Sequence, residues 1–289
     1  MTGKWPLGSE VRRKVVAGGA MLYDASRAGN LSTEVFDPVL LAGRGQIVGE
    51  ARGRGTAWFL SVQNRSWVLR HYRRGGLMRA LLRDRYIWRG EESTRAFAEW
   101  QLTYHLHRAG LPVPAPIAAR YRRLGFSYRG DIITERLPQV CSLAQGLAAG
   151  ALSLLTWIAV GRCLRRFHEL GVCHADLNAH NILIDSGEAM RTEPLPQSQA
   201  PVARHERIFL IDFDRGSLRK PGFWKDDNLV RLRRSLEKIA WALPRERFTE
   251  DDWHGLLDGY QQLPVALSGP AVPREPEPGT VGPPALPTG

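Results

Sequence analysis

Lysine is scarce in this chain of 289 residues, although the chain is strongly basic. The sequence contains 35 arginines and five lysines, and no lysine lies between Lys14 and Lys220. Any site in that stretch that needs a permanent cation must therefore use arginine, which binds anions through a planar fork and is not interchangeable with lysine.

Cysteine is also rare, and its pattern argues against a domain held together by disulfides or by a zinc ion. The three cysteines form no CxxC pair: Cys141, Cys163 and Cys173. An odd count without such a pair argues against a disulfide framework and against a thiolate zinc site. Cysteine usage therefore fits a protein of the reducing cytoplasm.

Long apolar runs are missing too. The only long uncharged stretch, Leu137 to Gly161, contains Pro138 and several glycines, which predicts a buried helix rather than a membrane span. Met1 to Ala20 lacks the sustained apolar core of a secretion signal.

The composition is that of a globular protein with an excess of positive charge. Apolar residues make up 43% of the chain, which excludes wholesale disorder. Basic residues number 40 and acidic residues 29, for a net charge of +11. This excess predicts an anionic partner: a nucleotide, a phosphorylated substrate, a membrane surface or a nucleic acid.

Strand patterns dominate the first half of the chain and helix patterns the second. Alternation predicts strands near Ile47 and at Ala57–Val62 and Trp67–Leu69. Tyr128–Leu137 is expected to be a strand followed by a short connection, and short apolar runs predict strands at Ile182–Ile184 and Ile208–Ile211. Helical spacing predicts helices at Thr94–Ala109, Leu152–Leu170, Asn228–Leu243 and Asp251–Tyr260. The fold class is therefore α+β, with a strand-rich lobe on a helical lobe.

These patterns divide the chain into four parts. We expect an N-terminal extension at 1–40, where periodicity is weak, a strand-rich lobe at 41–137 and a helical lobe at 138–263. The segment 264–289 is rich in Pro and Gly and is expected to be disordered. A cleft between two lobes is a common place for a ligand.

Two motifs in the helical half carry the chemistry. The segment His174–Asn181 has the pattern H-x-D-x-x-x-x-N and runs directly into the strand Ile182–Ile184, while Phe209–Asp214 reads F-L-I-D-F-D. Together they resemble the catalytic and metal-binding loops of the protein-kinase-like superfamily. We therefore expect a bilobal protein-kinase-like fold.

The resemblance assigns a role to each polar residue of these motifs. Asp176 would position the acceptor hydroxyl, and Asn181 and Asp212 offer the hard oxygen atoms that suit Mg²⁺ beside the phosphates of ATP. His174 is expected to support the loop. The other interpretation, ordinary polar loop residues, would suit one motif alone better than two in order.

The small lobe should hold the nucleotide. Gly53 and Gly55 form a turn that could cover phosphates, although glycine-rich hairpins are common. Arg70 ends an apolar strand where such kinases carry a lysine, and the alternative is an exposed strand-end arginine. Glu99 is the expected partner of Arg70.

Two further assignments concern this lobe. Glu91 and Glu92 compete with Glu99 but suit a solvated charged turn better. Glu135 opens the expected hinge, Glu135–Leu137, where backbone groups could bind adenine.

Further segments narrow the resemblance. They are Val68–Gly76, Asp84–Trp88, Gly110–Pro114, Asp212–Gly216 and Asn228–Leu236. With His174–Asn181 they resemble the 3-deoxy-D-manno-octulosonic acid (Kdo) kinases of the lipopolysaccharide-core kinase group, over about residues 40 to 240. This likeness implies ATP-dependent, Mg²⁺-assisted phosphorylation of the 4-hydroxyl of Kdo on a lipid A precursor. It also implies a peripheral position on the cytoplasmic face of a Gram-negative inner membrane.

The region Arg70–Arg95 is compatible with an anionic membrane surface. It holds eight arginines, with an apolar stripe formed by Leu77, Met78, Leu81 and Leu82. The alternative is a solvated helix packed on the small lobe.

Three other functions stay open. One is a kinase of another small sugar or an antibiotic, which the Pro112–Pro114 loop would also suit. Another is a non-catalytic kinase-like binding module, which the missing lysine favours and the retention of Asp176, Asn181 and Asp212 opposes. A nucleic-acid binder would explain the charge alone, but no nucleic-acid motif is present.

Overall fold

An antiparallel sheet of eight strands forms the first part of the molecule. The computed structural model describes residues 7–52, 56–73, 84–185 and 207–262. The strands are β1 Val11–Val16, β2 Gly19–Asp24, β3 Ile47–Arg52, β4 Thr56–Val62, β5 Arg65–His71, β6 Tyr86–Ile87, β7 Pro116–Leu124 and β8 Ser127–Glu135. They lie in the order β1-β2-β7-β8-β5-β4-β3, with β6 also paired to β8. The predicted strand-rich lobe is therefore present.

Each face of the sheet packs against its own helices. Three short helices lie against one face: α1 Ala25–Ala28, a 3-10 helix at Thr33–Phe36 and α2 Pro38–Gly43. The long helix α3, Arg95–Arg108, packs on the opposite face. Neighbouring residues such as Ile132 and Ile133 belong to different hydrophobic clusters because successive strand side chains point to opposite faces.

Helices dominate the second part. They are α4 Leu143–Ala149, α5 Leu154–Glu169, α6 Trp224–Ala240, a 3-10 helix at Arg245–Arg247 and α7 Glu250–Gln261. The short strands are β9 Val140–Ser142, β10 Val172–Cys173, β11 Ile182–Asp185, β12 Phe209–Leu210 and β13 Ser217–Leu218. They form the sheets β12-β11-β9 and β10-β13. The α+β fold class is confirmed, and the residue spacing that predicted α5 buries Trp157, Val160, Leu164 and Phe167.

The structure differs from the sequence analysis in two places near the small lobe. Residues 11–24, placed in an extension, form the hairpin β1–β2, and β2 pairs with β7 inside the large sheet. Strand β7 was not predicted at all, because six consecutive buried residues at its start remove the alternation of polar and apolar positions. The boundaries of the lobes stay predictions, and the segment 264–289 lies outside the described residues.

The uncharged stretch 137–161 contains more than the one buried helix predicted for it. It contains β9, the whole of α4 and the first half of α5, and residues 150–153 separate the two helices. A capping box at Ser142 starts α4, and Ser153 caps α5. Within the described ranges, no helix combines the length and apolarity that crossing a membrane would require.

Helices α5 and α7 approach each other closely at two glycines. A Cβ atom at Gly161 would overlap the backbone carbonyl oxygen of Leu256, and one at Gly259 would overlap that of Ile158. Because the obstacle in each case is backbone, the helices would have to move apart to admit a side chain.

We predict that Gly161→Ala destabilises the fold by about 1–3 kcal/mol, the usual cost of overpacking. The free energy of unfolding in urea measures this. Gly43→Ala is the matched control, since Gly43 is also helical and has open space at its Cβ position. Equal stability of the Gly161→Ala variant and the parent would contradict the close approach.

Candidate active site

The loop from His174 to Asn181 follows β10 and is held by its own histidine. His174 is buried, and its Nε2 donates to the carbonyl oxygen of Ile211 at 3.0 Å. Its Nδ1 accepts the backbone N–H of Asp176 at 3.2 Å. Burial lowers the pKa of His174, so the neutral ring is favoured. Both ring nitrogens are used structurally, in agreement with a supporting role.

Two amide side chains close this loop around Asp176. The Nδ2 groups of Asn178 and Asn181 both donate to the carbonyl oxygen of Asp176, each at 2.9 Å. The carbonyl oxygen of Asn181 accepts the N–H of Ile211 at 3.0 Å, which joins the loop to the segment before Asp212. The two motifs found in the sequence therefore form one hydrogen-bonded unit.

Asp212, within the second motif, has an unusual backbone conformation. Its φ is +64°, in the left-handed region that residues other than glycine seldom occupy. Strained residues of this kind gather at functional sites, where the surrounding structure holds them in place. The strain is therefore consistent with the predicted binding role of Asp212.

Arg70 connects the small lobe to this segment. Its Nη2 lies 2.5 Å from Oε1 of Glu99, and its Nη1 lies 2.6 Å from Oδ1 of Asp212. Burial by itself would lower the pKa of Arg70, but the charges of Glu99 and Asp212 raise it by more. The side chain is 29% exposed, so the structure does not show the freely solvated arginine of the alternative interpretation.

Glu99 is the buried centre of this arrangement. It is 4% exposed, on α3, and the hydroxyl of Tyr72 donates to its second carboxylate oxygen. Burial raises the pKa of Glu99, and the charge of Arg70 opposes that shift. The competing acids lie elsewhere: Glu91 pairs with Arg13 at 2.6 Å, and Glu92 accepts from Gln101 at 2.6 Å.

A second arginine reaches the same segment and was missed by the sequence analysis. Nε of Arg95 donates to Oδ1 of Asp214 at 2.6 Å. The guanidinium carbon of Arg95 lies 4.7 Å from the ring centroid of Tyr86 and 5.6 Å from that of Tyr72. The available signal was spacing, because Arg95 stands four residues before Glu99 and so shares its helix face.

Helix α6 supports the loop from below, which the sequence analysis also missed. Oδ1 of Asn228 accepts the N–H of His174 at 3.2 Å, and Nδ2 of Asn228 donates to the His174 carbonyl oxygen at 3.0 Å. The hydroxyl of Ser235 accepts the N–H of Ala179 at 3.2 Å. Two points of the loop are thus fixed to one helix.

Only some of the remaining residues that were predicted to contact the nucleotide lie in the described part of the chain. Gly53 and Gly55 lie outside the described residues. Glu135 ends β8 with its N–H donating to the Ala115 carbonyl oxygen at 2.8 Å, and the N–H of Arg136 donates to that of Ser66 at 2.9 Å. The backbone N–H groups of Glu135 and Arg136 are therefore already hydrogen-bonded within the protein. Contact between adenine and the backbone of this hinge stays a prediction.

The donor set at Asn181 and Asp212 suits magnesium. Because Nδ2 of Asn181 donates to Asp176, its Oδ1 is the side-chain atom left for a cation. In the ranges that the structure describes, no group of three or more His, Cys, Asp or Glu side chains is placed to hold a metal. One amide and one carboxylate form a smaller set, which is adequate when phosphates and water complete the coordination of Mg²⁺.

Comparison with known proteins finds relatives over most of the chain. The model of the lipopolysaccharide kinase (Kdo/WaaP) family matches residues 39–260. The chain is 42% identical over 233 residues to the 3-deoxy-D-manno-octulosonic acid kinase of Actinobacillus succinogenes, with 79% of this chain and 90% of that protein covered. It is 44% identical over 222 residues to the protein of the same name from Xylella fastidiosa, with 76% and 81% covered.

One solved structure, WaaP in complex with acyl carrier protein, is similar with a TM-score of 0.48 and 19% identity. It covers 83% of this chain and 86% of that one. At that score we draw nothing from the likeness.

We predict that Arg70→Ala costs about 2 kcal/mol of stability, because the buried Glu99 carboxylate loses its cation. It should also weaken binding of ATP with Mg²⁺, measured by calorimetry, while Arg70→Lys keeps the charge and part of the binding. Glu99→Ala should show a milder binding defect. The double variant Arg70→Ala/Glu99→Ala should lose less binding free energy than the sum of the losses in the two single variants. Arg65→Ala, an exposed arginine on the same strand, is the control. Parent-like binding in Arg70→Ala would place the phosphate-binding cation elsewhere.

We also predict that Arg95 and Asp214 are energetically coupled by about 1 kcal/mol, as measured by a double-mutant cycle with Arg95→Ala and Asp214→Ala. The exposed pair Arg44 and Glu34, 2.7 Å apart, is the control and should couple by about 0.5 kcal/mol or less. Additive effects at Arg95 and Asp214 would show that the contact is incidental.

Proposed function

We infer the function from one premise: this chain belongs to the lipopolysaccharide kinase (Kdo/WaaP) family, whose model spans residues 39–260. We propose that it transfers the terminal phosphoryl group of ATP to the 4-hydroxyl of a Kdo residue on a lipid A precursor, in lipopolysaccharide core synthesis. The observation that carries this proposal is the joining of Asp176, Asn181, Asp212 and Arg70 into one ordered site.

Asp176 orients the acceptor hydroxyl and takes its proton as the new P–O bond forms and the bond from the terminal phosphorus to the oxygen of the departing ADP breaks. The loop that carries it is held rigidly, since His174 fixes its N–H and two asparagine amides fix its carbonyl oxygen. Rigid placement matters because phosphoryl transfer depends on positioning and electrostatic stabilisation more than on covalent help.

Arg70 takes the position of the phosphate-binding lysine of other kinases. A guanidinium offers paired donors that match two phosphate oxygens, and Glu99 fixes its direction. Arg70 also contacts Asp212, so the cation for the phosphates and the carboxylate for the metal are held in register by one ion pair.

Asn181 and Asp212 would hold Mg²⁺, which when bound offsets the negative charge of the phosphates. Their oxygen atoms are the hard donors that this ion prefers. The position of Asp212 is maintained from both sides, by Arg70 and by the hydrogen bond between Ile211 and Asn181.

The acceptor that we propose is anchored in lipid and carries negative charge. We therefore place the enzyme as a peripheral protein on the cytoplasmic face of the inner membrane. The net charge of +11 supports this location, because anionic lipid attracts basic proteins.

We predict that Asp176→Asn lowers the rate of phosphate transfer by about 10²–10⁴-fold while ATP binding survives, because Asp176 acts on the acceptor. The measurement follows labelled phosphate from ATP onto a Kdo–lipid A precursor. Asp258→Asn, at an exposed position on α7, is the control and should behave like the parent. A parent chain that binds ATP but phosphorylates no sugar would support a binding module, and normal transfer by Asp176→Asn would remove Asp176 from catalysis.

A further inference from the structure

Helix α6 exposes a line of apolar side chains along its outer face. Phe223 is 89% exposed, Val230 47% and Trp241 93%. Phe223 and Trp241 flank α6 with right-handed helical backbone angles, so the helical geometry continues through both. Separations of 7 and 18 residues correspond to about two and five complete turns, which places the three side chains on one line about 27 Å long.

The inner face of the same helix packs against the rest of the protein. Leu229, Leu232 and Leu236 are buried in the core, and Asn228 and Ser235 bond to the loop that carries Asp176. The outer line is therefore fixed in position relative to the catalytic loop. Whatever binds this line is held at a constant distance from Asp176.

The charges around the line are mostly positive. Residues 219–241 contain seven basic side chains and three acidic ones. One of the three, Glu237, is paired with Arg233 at 2.8 Å, which leaves Asp226 and Asp227 as the opposing charges. The remaining basic residues are Arg219, Lys220, Lys225, Arg231, Arg234 and Lys238.

We propose that this face, Phe223, Val230 and Trp241 with the surrounding Arg234 and Lys238, docks on the surface of an anionic lipid bilayer. Aromatic side chains at both ends of a helix beside cations are the pattern of a helix that lies in the membrane interface. A second copy of the chain fits less well, because a symmetric contact would bring the same basic side chains together. The proposal rests on the proposed function, in which the acceptor is held in a membrane.

The docking sets the catalytic loop one helix diameter, about 10 Å, from the surface of the bilayer. Anionic headgroups contact the basic side chains, and the aromatic rings enter the boundary between headgroups and acyl chains. Since α6 also holds His174 and Ala179, membrane contact fixes the distance between the loop and the lipid surface.

The test is cosedimentation of the full-length protein with vesicles of phosphatidylethanolamine and phosphatidylglycerol. The double variant Phe223→Ser/Trp241→Ser should lose about tenfold or more in vesicle binding, since each substitution removes an aromatic ring whose apolar area the membrane would bury. Arg234→Glu/Lys238→Glu should also bind less and should lose most of the salt dependence. Phe126→Ser is the matched control, because Phe126 is an aromatic residue 91% exposed on the other lobe.

Activity on two acceptors separates this proposal from the proposed function. The aromatic double variant should lose transfer to a Kdo–lipid A precursor in vesicles and keep parent-like transfer to a deacylated, water-soluble Kdo acceptor. If the parent phosphorylates neither acceptor, the proposed function fails, while the loss of vesicle binding still supports the surface. Undiminished vesicle binding in the aromatic double variant, or an equal loss in Phe126→Ser, overturns the surface. A parent dimer in light scattering that the aromatic double variant dissociates would assign the face to a second copy and overturn it too.

Discussion

The ion pairs of one arginine connect the three parts of the structure that carry the candidate site. Arg70 stands on a strand of the small lobe, between Glu99 on α3 and Asp212 in the other lobe. Glu99 is almost completely buried, and a buried carboxylate is costly without a cation beside it. The position of α3, the direction of Arg70 and the placement of Asp212 are therefore mutually dependent.

A second contact acts in parallel with the first. Arg95, one helical turn before Glu99, reaches Asp214, so both acidic residues of the D-F-D segment are held by arginines of the small lobe. Between them Phe213 is buried against Phe167 and His174. Polar contacts on both sides of an apolar anchor give the segment one well-defined conformation.

Helix α6 links this site to the surface of the molecule. Its inner side fixes the loop that carries Asp176, and its outer side presents aromatic and basic side chains to the surroundings. In the proposed function the acceptor is embedded in lipid, and one rigid element that serves both needs would set the distance between site and membrane without a separate docking domain.

The two motifs, the resemblance to the kinase family and the fold class could be read from the sequence alone, because local spacing sets which residues share a loop, a strand or a helix face. The pairing of Arg70 with Glu99 followed from that resemblance together with their order along the chain. Strand β7 did not, since Ala118, Ala119 and Arg120 are all buried and Arg120 is paired with Asp131 of the next strand. Nor did the hairpin at residues 11–24, the contact of Arg95 with Asp214, or the support of the loop by Asn228. The hairpin is local in the chain, but its place in the large sheet depends on its pairing with β7. The other contacts join residues far apart in the chain, and only tertiary packing selects which of many polar side chains meet.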